Sequence, residues 1–121
     1  MHIVITRPKE DSLYLIQNLI KLGHVVTHLP VIKIEKLGTE KINLLNYQAV
    51  IFTSSNAIRF MNIEKFNSKI KCFCVGKATE FTAKQVGFIN TYTSEGTVDS
   101  LIELIVRTLE SKTGKLLYLS S

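Results

Sequence analysis

Small hydroxyl, amide and glycine residues follow several short apolar runs of this sequence. The segments in question are residues 6–8, 53–56, 75–79, 93–97 and 119–121. Side chains of this kind, together with backbone N–H groups at the positive end of a helix, bind carboxylates and phosphates. The same residue types also cap helices without any ligand, so capping explains each segment taken alone. Their repetition along the chain favours an anion-binding edge over isolated caps.

Arg7 is the basic residue best placed to join such an edge. It stands between Thr6 and Pro8, where the first apolar run ends. A guanidinium at the end of a strand can hold an oxyanion through two parallel hydrogen bonds. The alternative is an ordinary solvated arginine in a loop.

Other chemistries lack the residues they need. No dinucleotide fingerprint, phosphate loop or nucleophile elbow is present. His24 and His28 can share a strand face, but neither a cysteine nor a carboxylate nearby completes a zinc set, so no metal site is predicted. Cys72 and Cys74 lack the spacing of a redox motif. We expect them to be reduced, to point to opposite faces of a strand and not to bridge each other.

Composition limits the class of protein. The chain has 121 residues, of which 45% are hydrophobic and 21% charged, as in a globular domain. No apolar run reaches the roughly 18 residues of a membrane span, and no secretory signal is visible, so we expect a cytoplasmic protein without a membrane partner. The net charge of +5 suits an anionic partner. The basic residues are scattered, however, which argues against a nucleic-acid partner.

Strands and helices alternate in the hydrophobic pattern. Strands are predicted at residues 2–6, 25–29, 49–53, 70–75, 89–93 and 116–119, with extended chain at 31–35. A first helix carries Leu13, Ile16, Leu19 and Ile20 at helical spacing. Further helices are predicted at 39–46, after the N-cap at residues 54–56, at 77–86 and after residue 97. This order predicts an α/β fold, with a mainly parallel sheet flanked by helices. The chain stops directly after a strand, so we expect it to be part of a longer one.

The ordered series of segments resembles the uroporphyrinogen-III synthases. The resemblance rests on residues 3–8, 22–26 and 29–34, on the tract at 49–58, on 75–79 and 86–88, and on 94–97 and 115–119. It covers the whole chain in order. Each segment is weakly specific, and the series as a whole is fairly specific.

The resemblance implies a cofactor-free enzyme with two flavodoxin-like or Rossmann-like lobes and an active site in the cleft between them. Residues 1–35 would be the first segment of lobe 1, and residues 38–121 most of lobe 2, with the remainder of the enzyme absent. The implied reaction is dehydration, inversion of the last ring and cyclisation of hydroxymethylbilane, a linear tetrapyrrole with many carboxylates. This portion by itself would be inactive or would self-associate.

Under this resemblance, one set of residues is assigned to the substrate carboxylates, and no catalytic residue is assigned. The set is Thr6, Arg7, Ser54, Ser55, Asn56, Gly76, Thr79 and Gly96. The alternative function is a non-catalytic α/β module that binds a small anion or a nucleotide. A nucleic-acid protein is a third reading, which would show steeply salt-dependent binding.

Overall fold

The computed structural model describes residues 7–30, 41–109 and 114–120. Its helices are α1 (Arg7–Lys21), α2 (Ser55–Phe60), α3 (Lys77–Gln85) and α4 (Val98–Thr108), with a short 3-10 helix at Leu44–Asn46. Its strands are β1 (Val25–Pro30), β2 (Lys41–Asn43), β3 (Ala49–Phe52), β4 (Asn62–Lys65), β5 (Lys71–Val75), β6 (Asn90–Ser94) and β7 (Lys115–Ser120). The predicted α/β class is confirmed.

Five strands form one sheet in the order β1-β7-β3-β5-β6, and every pairing in it is parallel. The remaining two strands, β2 and β4, form a separate parallel pair. Parallel sheets are covered on both faces and therefore read as continuous apolar runs. Strand β3, with the sequence AVIF and all four residues buried, fits that description and confirms the strand predicted at 49–53.

The two faces of the sheet carry separate apolar cores. Val50 and Phe52 of β3 pack with residues of α2 and α3 on one face. Ala49 and Ile51 pack with residues of α1 and α4 on the other. The alternation of β3 side chains between the faces thus links both layers of helices to one strand.

The two cysteines were expected on opposite faces, and that expectation is wrong. Residues two apart in a strand share a face, and Cys72 and Cys74 lie in the same core with their Sγ atoms 3.7 Å apart. Both thiols are free. The hydrogen bond with Cys74, reinforced by burial, raises the pKa of the Cys72 thiol far above its ordinary range. The protonated thiol is a poor nucleophile, so this pair is core.

Two local predictions are also corrected. The helix expected at 39–46 is, in its described part, strand β2 followed by the 3-10 helix. The reason is that Ile42 pairs with Ile63 of β4, a strand that was not predicted, while the Asn43 side chain caps Leu45. Among residues 12–21 of α1, the buried ones are Leu15 and Leu19, which are four apart and share one face.

Only some of the apolar residues predicted along α1 therefore face the core. Leu13 and Ile20 are 58% and 55% exposed, because they lie off the face that carries Leu19. The predicted strand at 2–6, the extended segment at 31–35 and the boundary between residues 35 and 38 lie outside the described residues.

Polar contacts join β1 to β7. The His28 Nε2 atom lies 2.8 Å from the Ser120 hydroxyl oxygen, and the His28 ring stacks on Tyr118 with 4.6 Å between ring centroids. The Tyr118 hydroxyl lies 2.7 Å from the Ser12 Oγ atom of α1. Partial burial lowers the pKa of His28 from its ordinary value of 6.5.

We predict that Ile51→Ala lowers the free energy of unfolding by about 2–5 kcal/mol, because truncation leaves a cavity in a fully buried site. Ile89→Ala is the matched control, since Ile89 is 64% exposed. Its cost should stay below about 0.5 kcal/mol. Urea denaturation of both variants checks this, and equal losses would contradict the two-sided core.

We predict that the free energy of unfolding falls as the pH drops below about 6.5, because folded His28 takes up a proton less readily than unfolded His28. The contribution is complete above the unfolded pKa and is lost as the pH falls through the lower folded pKa. His28→Gln, whose amide can still reach Ser120, should flatten this dependence. Denaturation of both proteins between about pH 5.5 and 7.5 measures it. Identical slopes would contradict a lowering of the His28 pKa by partial burial.

Candidate functional site

The parallel pairing brings the carboxyl ends of five strands to one edge of the sheet. In an open α/β sheet, ligands bind outside this edge. The segments after the three neighbouring strands β3, β5 and β6 contain most of the predicted site residues, namely Ser54, Ser55, Asn56, Gly76, Thr79 and Gly96. Of the other two, Thr6 lies outside the described residues. Arg7 is the first residue of α1, and its side chain is outside the described part.

Ser54 is the N-cap of α2. Its backbone is extended, and its hydroxyl oxygen accepts a hydrogen bond from the Ala57 N–H at 3.3 Å. One turn along, the exposed Asn56 accepts a hydrogen bond from the Arg59 guanidinium at 3.1 Å. Ser54 therefore acts as a helix cap in the loop after β3. Asn56 is the exposed residue of that loop, while residues 53–55 are partly exposed.

Ser55 ties α2 to α3. Its hydroxyl donates to the carbonyl oxygen of Ala78 at 3.2 Å. The Thr82 hydroxyl lies 3.1 Å from the same carbonyl oxygen and 3.2 Å from the Ser55 hydroxyl oxygen. Ser55 thus already has partners within the protein, and its contribution is to hold the two helices side by side.

Gly76 begins α3 and leaves space beside it. Its φ of +86° strains any residue with a Cβ, and a Cβ built there would have nothing within 4 Å. The first turn of α3 has no side-chain cap. Its N–H groups carry the positive end of the helix dipole, which attracts anions. Thr79, in this same turn, is buried.

Gly96 lies one residue before Thr97, the N-cap of α4. Its φ is +111°, with open space around a built Cβ. Thr97 caps α4, since its hydroxyl oxygen accepts from the Ser100 N–H at 3.0 Å. Gly96 therefore marks a turn with room on its outer side, while part of the first turn of α4 is satisfied internally.

A carboxylate borders the edge between β6 and α3. The Glu80 side chain accepts a hydrogen bond from the Thr91 hydroxyl at 3.0 Å and pairs with Lys84 at 3.5 Å. The nearby hydroxyls of Thr93 and Thr91 lower the pKa of Glu80. Glu80 thus stays ionised near neutral pH, so it has no proton to donate there.

Ser94 was not predicted as a site residue. It ends β6, its carbonyl oxygen accepts the Gly76 N–H at 3.1 Å, and it is only 5% exposed. Its hydroxyl has no hydrogen-bond partner among the residues that the structure describes. The sequence predicts a turn at this position, and the hydrophobic pattern does not indicate that the Ser94 side chain is buried.

Neither a metal cluster nor a membrane helix is found in the described part of the chain. No three histidine, cysteine, aspartate or glutamate side chains within ranges 7–30, 41–109 and 114–120 come together to hold a metal ion. Across the same ranges, none of the helices has the length and apolar character needed to cross a membrane.

Comparison with known proteins gives two matches. The family model of uroporphyrinogen-III synthase HemD matches residues 14–121. A porphyrin biosynthesis protein HemD from Ruminiclostridium josui is 31% identical, over 77% of this chain and 21% of the relative. The chain thus spans about a fifth of the length of that curated relative. No solved structure matches the chain. With most of its residues matched by that family model, the chain belongs to the uroporphyrinogen-III synthase (HemD) family.

Proposed function

We propose that the protein to which this chain belongs is a uroporphyrinogen-III synthase. Such an enzyme dehydrates hydroxymethylbilane, inverts its last ring and closes the macrocycle. The family match over residues 14–121 carries this proposal. The site geometry supports it, because neighbouring helix N-termini at one sheet edge suit a ligand with several carboxylates. The net charge of +5 attracts such a ligand at long range.

The reaction places more demand on positioning than on proton transfer. Closure without ring inversion occurs spontaneously and yields the wrong isomer, so the enzyme must hold the last ring in the inverted geometry. Hydrogen bonds that fix the carboxylates of the other rings provide that control. Backbone N–H groups and hydroxyls are suitable donors, and the described edge offers them at the first turn of α3 and in the exposed turn at residues 95–97.

The carboxylate-binding set remains Thr6, Arg7, Ser54, Ser55, Asn56, Gly76, Thr79 and Gly96, as a proposal. Within it, the contacts distinguish two kinds of role. Ser55 binds Ala78 and therefore supports the loop. Gly76 and Gly96 leave open space through which backbone donors can reach a ligand. No general acid is assigned.

We further propose the two-lobe division, with residues 1–35 in one lobe and 38–121 in the other. This division follows from the resemblance to the family, whereas in the described structure β1 of the first segment pairs with β7 of the second in one sheet. The chain passes from β6 to β7 through α4, toward the β1 edge, on the face that α1 also covers. It passes from β5 to β6 through α3, away from β1, on the opposite face. These two connections have the same hand, as crossovers in parallel sheets do.

Several further statements remain predictions. They are the tetrapyrrole substrate, the cytoplasmic location, the absence of nucleic-acid and membrane partners, and the self-association of the 121-residue chain. The inactivity of this chain by itself also remains a prediction. Each concerns the protein in solution.

Isomer analysis tests the proposed function. The full-length product of the gene is supplied with hydroxymethylbilane by a deaminase, and the porphyrinogens are oxidised and separated. We expect isomer III to dominate, whereas the spontaneous reaction gives isomer I. The 121-residue chain assayed in parallel should give isomer I. Isomer I alone from the full-length protein would contradict the proposal and favour the anion-binding module.

Substitutions of the cap Ser54 separate folding from ligand binding. Asp and Asn both cap helices well, so Ser54→Asp and Ser54→Asn should keep the stability, whereas Ser54→Ala should lose about 1 kcal/mol. Only Ser54→Asp adds a negative charge at the edge. It should weaken binding of uroporphyrin III, the oxidised form of the proposed product, by about tenfold or more, as expected for like charges in contact.

Fluorescence titration with uroporphyrin III measures this affinity, and Ser54→Asn is the matched control. Equal affinities for the Asp and Asn variants would show that no ligand carboxylate approaches Ser54.

A further inference from the structure

Strand β6 forms one edge of the five-stranded sheet, next to β5. No strand among the described residues pairs with its outer side. Exposed edges of sheets usually carry a charged residue, a proline or a bulge, which prevents pairing with another chain. Residues 90–94, with the sequence NTYTS, contain no charged residue and no proline, and they pair with β5 in an unbroken register. The outer side of β6 therefore lacks the usual protection against a further strand.

The backbone of β6 turns particular residues toward this open side. The Ser94 carbonyl oxygen accepts a hydrogen bond from the Gly76 N–H at 3.1 Å, so the Ser94 backbone faces β5. The N–H and C=O groups of successive strand residues point to opposite sides of the strand. The backbone of Tyr92 therefore also faces β5, while the N–H and C=O groups of Thr91 and Thr93 point outward. These two threonines present the hydrogen-bonding groups that a further strand needs.

The sequence around Tyr92 is the same in both directions, because a threonine precedes it and a threonine follows it. When two copies of β6 run antiparallel about Tyr92, Thr91 lies opposite the partner's Thr93. Each such threonine pair has its outward groups face to face and can exchange two N–H···O bonds. The tyrosines at the centre then form a pair without backbone hydrogen bonds, in which side chains lie closer together. The register that satisfies the backbone thus also matches like side chains.

The side chains suit this register. Tyr92 stacks on Phe73 with 5.5 Å between ring centroids, packs on the core that α4 covers, and is only partly buried. Aromatic pairs and threonine pairs across neighbouring strands are both favourable. The next outward-facing position brings Ile89 opposite the partner's Glu95. No like charges therefore oppose each other along the contact, so the net charge of the chain is not concentrated at this edge.

We propose that two copies of this chain associate through β6, in antiparallel pairing about Tyr92, and form one continuous sheet with five strands from each copy. A contact about a twofold axis uses the same patch on both copies, so it closes at a dimer. A contact of one strand from each copy is small, so the dimer is weak and depends on protein concentration. It uses no residue assigned to the ligand, and this inference does not rest on the proposed function.

Thr93→Pro tests the contact. Proline removes an outward N–H and leaves the hydrogen bonds to β5 in place, since the Thr93 N–H does not point to β5. Sedimentation of the 121-residue chain at increasing concentrations should show a monomer–dimer equilibrium. The variant loses two hydrogen bonds across the axis, so its dissociation constant should rise by about tenfold or more. Thr93→Ala is the matched control, because it keeps the backbone N–H and should dimerise nearly as well as the wild type.

Tyr92→Cys tests the register and serves if the proline variant fails to fold. At the twofold axis the two substituted positions have Cα atoms about 4.5 Å apart, which a disulfide can bridge. Glutathione disulfide should oxidise the two thiols to an intermolecular disulfide, seen as a dimer on a non-reducing gel, and is itself reduced to glutathione. Ile89→Cys is the control. Ile89 is 64% exposed, but the two copies of it lie far apart in this register. The native Cys72 and Cys74 are buried.

A wild-type chain that stays monomeric at every concentration overturns the inference. A dimer that Thr93→Pro leaves unchanged also overturns it, because the contact then lies on another surface. Disulfide formation as efficient in Ile89→Cys as in Tyr92→Cys would show random collision instead of the proposed register. None of these outcomes bears on the isomer that the full-length protein produces, so the proposed function is tested separately.

Discussion

The hydrogen bonding of β7 between β1 and β3 is the interaction on which the described fold depends. Strand β7 pairs with both neighbours in parallel, so it joins the β1 edge to the strands that carry the candidate site. Four consecutive residues of β7 are buried, with Leu117 and Leu119 in one core and Leu116 and Tyr118 in the other. The last described strand therefore completes both cores. Because all pairings are parallel, it also keeps the strand ends at a single edge.

At that edge, polar side chains and backbone N–H groups can either satisfy helix ends or bind a ligand. The structure uses them differently at each helix. Ser54 and Thr97 cap α2 and α4 through their hydroxyl oxygens. At α3 the N-cap is Gly76, which has no side chain to offer. The positive end of the α3 dipole is consequently less compensated than those of α2 and α4, which lie on either side of it. A ligand carboxylate at this position would complete what the protein leaves open.

The sequence predicts well the features that follow from local pattern. The apolar run of β3 and the N-cap within residues 54–56 are properties of adjacent residues, and the structure has both. The short strands β2 and β4 were not predicted, because their pairing joins residues distant in sequence. The strand ends that form the site could be predicted from topology. The Ser55–Ala78 contact and the burial of Ser94 could not, since they depend on how α3 and α4 pack.

The buried polar residues of the described chain differ in whether they have a hydrogen-bond partner. Thr82 is hydrogen-bonded within α3 and to α2, and the ring of His24 lies 3.4 Å from the Gly114 carbonyl oxygen. Each of these partners lies in the body of the fold and accounts for the polar residue there. The Thr93 Oγ1 and Ser94 Oγ atoms, adjacent at the end of β6, have no such partner among the described residues. Burial of an unpaired hydroxyl opposes folding, so these two groups lower the stability of the fold. Open space lies instead beside Gly76 and Gly96, where a ligand has room to bind.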